Sequence, residues 1–99
     1  MLLLQRMLCM LDLVMTTQFR KDLKRIDKRG KDLSLLKDVL QTLREEQALD
    51  EKYRDHALTG NYIGFRECHI QPDWLLVYAI NKEELILIAA RTGSHSDLF

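Results

Sequence analysis

Apolar and polar positions in the first third of the chain predict a strand followed by a helix. Residues 10–15 form a short, mostly apolar stretch, as a strand requires, and Thr16 or Thr17 can cap the following helix. The apolar residues of that helix recur at helical spacing and form one stripe, and Gly30 is suited to end it. The opposite face is basic and consists of Arg20, Lys21, Lys24, Arg25 and Lys28.

The next stretch has the spacing of a second helix and then loses it. Asp32 or Ser34 can open this helix, whose apolar residues again share one face and which should end near residues 47–50. Residues 50–64 are polar, aromatic and interrupted by glycine, which predicts a long, ordered loop. Loops of this kind often carry binding and catalytic residues.

The last third of the chain predicts three consecutive strands. They cover residues 65–70, 74–80 and 85–91, and the turns at 71–73 and 81–84 are short enough to join antiparallel neighbours. The second and third strands are apolar at nearly every position, so both of their faces should be covered, at least one of them by the helices. We therefore expect a small, single-domain α+β fold in which an N-terminal strand and two helices pack on an antiparallel β-meander.

The composition agrees with one folded domain. The chain has 99 residues, of which 46% are hydrophobic and 30% charged, and this mixture excludes disordered and collagen-like classes. The formal net charge is zero, so total charge alone predicts no polyanionic partner. Cys9 and Cys68 form no CxxC pair, which favours free thiols in a reducing compartment over a zinc site.

The N-terminus is more apolar than the rest of the chain. Residues 1–15 are nevertheless interrupted by Gln5, Arg6 and Asp12, and they are too few for a bilayer span, which needs about 20 apolar residues. A basic start and a signal-peptide cleavage site are also missing. We therefore expect a cytoplasmic protein that does not engage the membrane. We treat residues 1–9 as an extension of the domain at 10–99 and expect that domain to fold without it.

Three histidines lie where a small active site could form. His56 lies in the predicted loop, His69 ends a strand and His95 follows the last strand. Because consecutive antiparallel strands alternate in direction, the end of the first, the start of the second and the end of the third share one edge. This edge collects His69, Asp73, Trp74, Arg91 and His95.

Each of these residues also has a purely structural explanation. His69 and Arg91 could be surface residues at strand ends. Asp73 follows Pro72 in a turn, where Asp is common for its backbone hydrogen bonds, and Trp74 at a strand start could belong to the core. The histidines lack the short spacing of a zinc site, so we expect no metal ion. The basic face of the first helix, taken alone, is more often a solvated surface than a nucleic-acid patch.

Three separated motifs resemble one protein family. The run YRDHALTGNYIGFRECHIQPDWLLVY and the terminal run RTGSHSDLF are similar to the YafQ branch of the RelE/ParE toxin superfamily. That family shows D-H-x-L-x-G, then R-[DE]-x-H-[IV]-x-P-D-[WVL]-[IL]-L-[IV]-Y, then R-x-G-[ST]-H-[SA]-x-L-F. The sequence matches every fixed position in order, and the similarity extends from about residue 10 to residue 99.

The resemblance implies a RelE-like fold and the toxin of a bacterial type II toxin–antitoxin system. Such toxins are ribosome-dependent endoribonucleases that cleave mRNA in the A site. Each is silenced by a cognate antitoxin, DinJ-like or of another kind, encoded next to it. The positions that match residues important for cleavage are His56, His69, Asp73, Trp74, His95 and Phe99. Arg91 matches a position at the scissile phosphate, and the basic face of the first helix would rest on ribosomal RNA.

The residue types suit this chemistry. RNA cleavage without a metal or other cofactor needs a base for the 2′-hydroxyl, an acid for the leaving 5′-oxygen and positive charge for the phosphorane. We expect His95 to be the acid and His69 or Asp73 to be the base. His56 would orient the phosphate, and Arg91 would stabilise the phosphorane.

The aromatic residues and the overall function leave alternatives. Trp74 and Phe99 would offer faces on which RNA bases stack. A noncatalytic module could use the same residues to bind RNA or a partner without cleavage. A ParE-like poison of DNA gyrase is a further alternative, but the histidines argue against it because that activity needs no acid/base set.

Overall fold

The computed structural model describes residues 10–99, which form three α-helices and one five-stranded sheet. The helices are α1 (Thr17–Lys28), α2 (Leu33–Arg44) and α3 (His95–Leu98). The strands are β1 (Asp12–Met15), β2 (His56–Ala57), β3 (Arg66–Gln71), β4 (Trp74–Asn81) and β5 (Ile86–Gly93). Their order in the sheet is β1-β5-β4-β3-β2, in which β1 runs parallel to β5 and all other neighbours are antiparallel.

The predicted α+β fold is confirmed, with two local differences. The N-terminal strand, the two longer helices and the three-stranded meander form close to their predicted bounds. The segment 50–64, predicted to be a loop, contains two 3₁₀ turns, Glu51–Tyr53 and Gly60–Tyr62, and the short edge strand β2. The polar tail after β5 folds into α3. The predicted extension, residues 1–9, lies outside the described residues.

Side-chain hydrogen bonds and one glycine set the ends of α1 and α2. The Thr16 hydroxyl accepts a hydrogen bond from the Phe19 amide at 2.9 Å, and the Asp32 carboxylate accepts one from the Ser34 amide at 3.0 Å. Gly30 between the helices has a φ of 77°, a left-handed conformation that glycine adopts without steric cost. Of the caps that the sequence allowed, Thr16 is therefore the N-cap of α1 and Asp32 is the N-cap of α2.

The sheet is covered on both faces, as its apolar strands predicted. On one face, α1 and α2 pack over a large cluster that includes Phe19 and Trp74. On the other face, a smaller cluster around Leu75 and Leu98 is covered by apolar side chains of segment 58–65. This second cover brings α3 and segment 58–65 next to the strand ends that carry the predicted site residues.

Asp97 connects α3 to α1. Its carboxylate accepts hydrogen bonds from the Arg29 guanidinium at 2.6 and 3.0 Å. It also accepts one from the Ser94 amide at 2.9 Å, while the Ser94 hydroxyl accepts one from the Asp97 amide at 3.2 Å, which completes a capping box. A Cβ atom at Gly93 would lie 2.8 Å from the Asp97 carboxylate, so this close approach requires glycine.

The Arg29–Asp97 pair predicts a pH-dependent contribution to stability. Hydrogen bonds from Arg29, and then from Ser94, hold the pKa of the Asp97 carboxyl well below its usual range. A lowered folded-state pKa stabilises the fold above the unfolded value of 3.8, and this stabilisation is lost as the pH falls through the folded-state pKa. We therefore expect Arg29→Ala to lower the thermal midpoint at neutral pH, with a difference that shrinks below about pH 4.

Thermal unfolding followed by circular dichroism at several pH values measures this effect. Lys31→Ala is the matched control, because Lys31 is exposed and forms no ion pair within the described part of the chain. Its midpoint should equal that of the unchanged chain. A loss in Arg29→Ala that is the same at every pH would show that packing of the Arg29 stem, and not its charge, stabilises α3.

Candidate active site

The three histidines lie in a row across one edge of the sheet. His56 belongs to β2, His69 to β3 and His95 to the start of α3. The ring centroids of His56 and His69 are 6.5 Å apart, and those of His69 and His95 are 5.9 Å apart. Strand direction therefore predicted the meeting of His69 and His95 correctly. His56 joins them because β2 pairs with β3.

The carboxylate of Asp73 holds His95. Asp73 Oδ1 lies 2.9 Å from His95 Nδ1 and accepts a hydrogen bond from the His95 amide at 3.1 Å. These hydrogen bonds, the one with the side chain first, lower the pKa of the Asp73 carboxyl. Because Asp73 is then ionised at neutral pH, His95 Nδ1 carries a proton and Nε2 is the nitrogen left for a substrate. The His95 side chain is 57% exposed.

Glu67 lies between the other two histidines. It is buried, and its Oε1 is 3.7 Å from the Nε2 atoms of both His56 and His69. His56 Nδ1 is 2.8 Å from the carbonyl oxygen of Arg54, so Nδ1 donates to that carbonyl and Nε2 faces the carboxylate. The sequence analysis did not single out Glu67. Its position two residues before His69 on one strand was the available signal, because that spacing places both side chains on one face.

Arg91 is paired with a buried carboxylate of α1. Its Nε donates to Asp22 Oδ2 at 2.7 Å, and its Nη2 donates to Asp22 Oδ1 at 3.2 Å. Burial raises the pKa of the Asp22 carboxyl, but hydrogen bonds from Arg91, Gln18 and Thr92 outweigh burial and leave that pKa lowered. The sequence analysis also missed Asp22. A charged residue on the apolar stripe of α1 was the signal that could have found it.

The two aromatic residues predicted to contact RNA have opposite environments. Trp74 is fully buried in the core beneath the helices, and its Nε1 donates to the Thr92 hydroxyl at 2.9 Å. A base therefore has no face of Trp74 on which to stack, so the predicted RNA contact is wrong and the alternative of a core residue is correct. Phe99 is 62% exposed, and its ring forms an edge-to-face pair with that of Tyr62 at a centroid distance of 5.5 Å.

The predicted basic face of α1 is only partly free. Its exposed members without an ion pair within residues 10–99 are Arg20, Lys21, Lys24 and Lys28. Arg25 is different, because its Nη1 lies 3.7 Å from Asp97 and 3.8 Å from Asp22. The charge of Arg25 is thus shared with two carboxylates and contributes less to attraction of a polyanion.

A second basic group lies next to the histidines and was not singled out in the sequence. Lys52 and Arg54 are exposed on the segment that leads into β2. Together with His69 and Pro72 they line a cavity of about 290 Å³. Lys52 and Arg54 form no ion pair with any residue in the described range, so no carboxylate within 4 Å offsets their charges.

The remaining predictions concern metal ions, thiols and membranes. Within residues 10–99, no three His, Cys, Asp or Glu side chains form a group that could hold a metal ion. Cys68 is buried, and burial raises the pKa of its thiol to about 12, so it is not a thiolate at neutral pH. Cys9 lies outside the described residues. None of the helices described here has the length and apolar character needed to span a membrane.

Comparison with known proteins agrees with the three motifs. The model of the family described as bacterial toxin of type II toxin–antitoxin system, YafQ, matches residues 11–99. The mRNA interferase toxin YafQ of Escherichia coli strain K12 is 37% identical over 89 residues, which cover 89% of this chain and 95% of that protein.

Solved structures give the same result. A metal-bound toxin from Helicobacter pylori is 51% identical, with a TM-score of 0.86 and coverage of 91% of this chain and 100% of that chain. YafQ in the E. coli DinJ–YafQ toxin–antitoxin complex is 36% identical, with a TM-score of 0.82 and coverage of 91% and 98%. The chain therefore belongs to the YafQ family of bacterial toxins of type II toxin–antitoxin systems.

Proposed function

We propose that this chain is the toxin of a toxin–antitoxin pair and cleaves mRNA as an endoribonuclease in the ribosomal A site. Membership of the YafQ family and relatives named as mRNA interferases support the activity. The observation that carries the mechanism is the hydrogen bond of His95 with Asp73, together with the imidazole of His69 at a centroid distance of 5.9 Å from that of His95. This arrangement offers a proton donor and a proton acceptor to one phosphodiester.

In the proposed reaction, the ribose 2′-oxygen attacks the adjacent phosphorus while the bond from phosphorus to the 5′-oxygen breaks. His69 accepts the proton of the 2′-hydroxyl, and His95 gives a proton to the 5′-oxygen. The products are a 2′,3′-cyclic phosphate and a 5′-hydroxyl. Imidazoles with an ordinary pKa of about 6.5 can serve as either acid or base at neutral pH. Asp73 already accepts two hydrogen bonds from His95, so we assign it to orienting the acid and not to the role of base.

Other side chains would bind the phosphate and a neighbouring base. We assign Arg91 to the charge that grows on the phosphorane, because its planar guanidinium can donate to two oxygens. His56, which lies at the far end of the histidine row, would orient the phosphate. Phe99 would support a base, since its ring is exposed and packs edge-to-face with Tyr62.

The proposed partners follow from the family and from the basic surfaces. The E. coli relative forms a complex with DinJ, and we propose that a cognate antitoxin, DinJ-like or of another kind, silences this chain. The exposed lysines and arginine of α1 would meet the phosphates of the ribosome or an acidic antitoxin segment. Lys52 and Arg54 would bind the mRNA backbone next to His69. The activity needs ribosomes and therefore belongs in the cytoplasm, and its acid/base steps call for no cofactor.

Replacement of His95 separates catalysis from binding. His95→Ala should abolish growth arrest and lower single-turnover cleavage on programmed ribosomes by about 10²–10⁴-fold, the usual contribution of a general acid. Pelleting with ribosomes should change little, because the lost interaction forms in the transition state. Ser96→Ala, at the exposed neighbouring position, should retain both properties. Equal losses of binding and cleavage in His95→Ala, or no loss of either, would contradict the role of general acid.

The exposed face of α1 is tested by a reversal of charge. Lys24→Glu should weaken ribosome association, most strongly at low salt, where screening of charges is weakest. Lys82→Glu is the matched control, because Lys82 is an exposed lysine in the turn between β4 and β5, at the end of the sheet away from the site. Association that does not differ between Lys24→Glu and the control at any salt concentration would show that the face is only solvated.

The cavity beside His69 gives a separate prediction. Removing both charges in Lys52→Gln/Arg54→Gln should weaken binding of the chain to programmed ribosomes. The slope of log affinity against log salt concentration should become shallower by about one unit for each lost phosphate contact. Single-turnover cleavage at saturating toxin should change much less than binding. A double variant that binds and responds to salt like the unchanged chain would exclude these residues from the RNA path.

A further inference from the structure

The pairing of Arg91 with Asp22 fixes the direction of the guanidinium. Asp22 is fully buried, and its two oxygens accept hydrogen bonds from Nε and Nη2 of Arg91 at 2.7 and 3.2 Å. A carboxylate that receives two donors of one guanidinium fixes the plane of that group as well as its position. The two hydrogen bonds to Asp22 do not use Nη1 of Arg91, so this atom is left for an anion, and the guanidinium also lies next to the Tyr62 side chain.

Asp22 also accepts hydrogen bonds from two groups other than Arg91. The Thr92 amide donates to its Oδ2 at 3.2 Å, and Gln18 Nε2 donates to its Oδ1 at 3.0 Å. The nearest other cation is Arg25, whose Nη1 is 3.8 Å from Oδ1 and whose side chain is 42% exposed. The carboxylate therefore does not depend on Arg91 alone for its place. Asp22 therefore has a fixed position, and this position determines the direction of the more exposed Arg91 side chain.

Trp74 belongs to the same network. Its Nε1 donates to the Thr92 hydroxyl at 2.9 Å, and that hydroxyl donates to the carbonyl oxygen of Leu75 at 2.7 Å. All three groups are buried, so the end of β5 is held against β4 just where the Thr92 amide meets Asp22. The buried indole of Trp74 thus stabilises the strand end at which Asp22 holds Arg91.

We propose that Asp22 is a positioning residue for RNA cleavage, which acts by holding the guanidinium of Arg91 toward the scissile phosphate. This proposal rests on the proposed function, in which Arg91 stabilises the phosphorane. The stabilisation depends on donors that are already aimed at the place where charge develops. Without Asp22 the guanidinium keeps its charge but loses its fixed direction, and a displacement of about 1 Å can cost roughly 10²-fold in rate.

A double-mutant cycle tests this role. Asp22→Asn keeps the shape of the side chain but removes its charge and one acceptor oxygen, so single-turnover cleavage on programmed ribosomes should fall by about 10–10²-fold. Ribosome pelleting should stay within about twofold, since Arg91 acts in the transition state. In an Arg91→Ala background, Asp22→Asn should cause no further loss of rate, because Asp22 acts only through Arg91. Asp38→Asn, an exposed Asp on α2, should cleave like the unchanged chain.

Each alternative gives a different result. A double variant whose loss equals the product of the two single losses would show that Asp22 has a structural role independent of Arg91 and would overturn the proposal. An unchanged rate in Asp22→Asn would also overturn it while leaving the proposed function intact. An unmodified chain that fails to cleave on programmed ribosomes would contradict the proposed function itself.

A second variant covers the case in which Asp22→Asn fails to fold. Arg91→Lys keeps the positive charge, but a single ammonium cannot present two donors in one plane to Asp22. We expect it to cleave nearly as slowly as Arg91→Ala while it binds ribosomes normally. Arg91→Lys that cleaves at close to the original rate would show that charge alone is sufficient, and it would overturn the role of Asp22 in holding the direction of the group.

Discussion

The irregular pairing of β4 with β5 determines which residues of β5 reach the active site. Tyr78 pairs with Ala89, but the next residue of β4, Val77, pairs with Arg91, so β5 contains one extra residue at this point. Without the extra residue, Arg91 would lie opposite Leu76, whose side chain is in the core under the helices. A shift of one residue exchanges the two faces of a strand. The bulge thus places Arg91 in the same cross-strand row as Val77 and Glu67.

Carboxylates then fix the groups that would bind or cleave RNA. Asp73 holds the tautomer of His95, Glu67 lies between the other two imidazoles, and Asp22 holds Arg91. Farther out, Asp97 ties α3 to α1 and so keeps His95 at the edge of the sheet. These acidic groups explain how a chain of zero net charge can serve an RNA-directed function. They hold Arg91 and the imidazoles in place, while the exposed Arg20, Lys21, Lys24 and Lys28 form no ion pair within residues 10–99.

The sequence predicted the features that depend on local spacing and strand direction. Helical stripes, caps and turns are local, and strand direction alone brought His69 and His95 to one edge. The roles of Glu67 and Asp22 depend on which residues lie opposite them across the sheet or under a helix, and periodicity does not contain that information. Trp74 shows the same limit, because its family motif marks it as important for cleavage but does not reveal that its ring faces the core. The short strand β2 was missed because two residues have no detectable alternation.

The chemical nature of the RNA ends tests the central claim most directly. An mRNA is incubated with the chain in the presence and in the absence of ribosomes programmed with it, and the fragment ends are identified by mass spectrometry. The account predicts a 2′,3′-cyclic phosphate on one fragment and a 5′-hydroxyl on the other, formed only with ribosomes. A 3′-hydroxyl with a 5′-phosphate would show that water attacked in place of the ribose 2′-oxygen, and equal cleavage of free mRNA would show that the ribosome is not required. Either result would contradict the account.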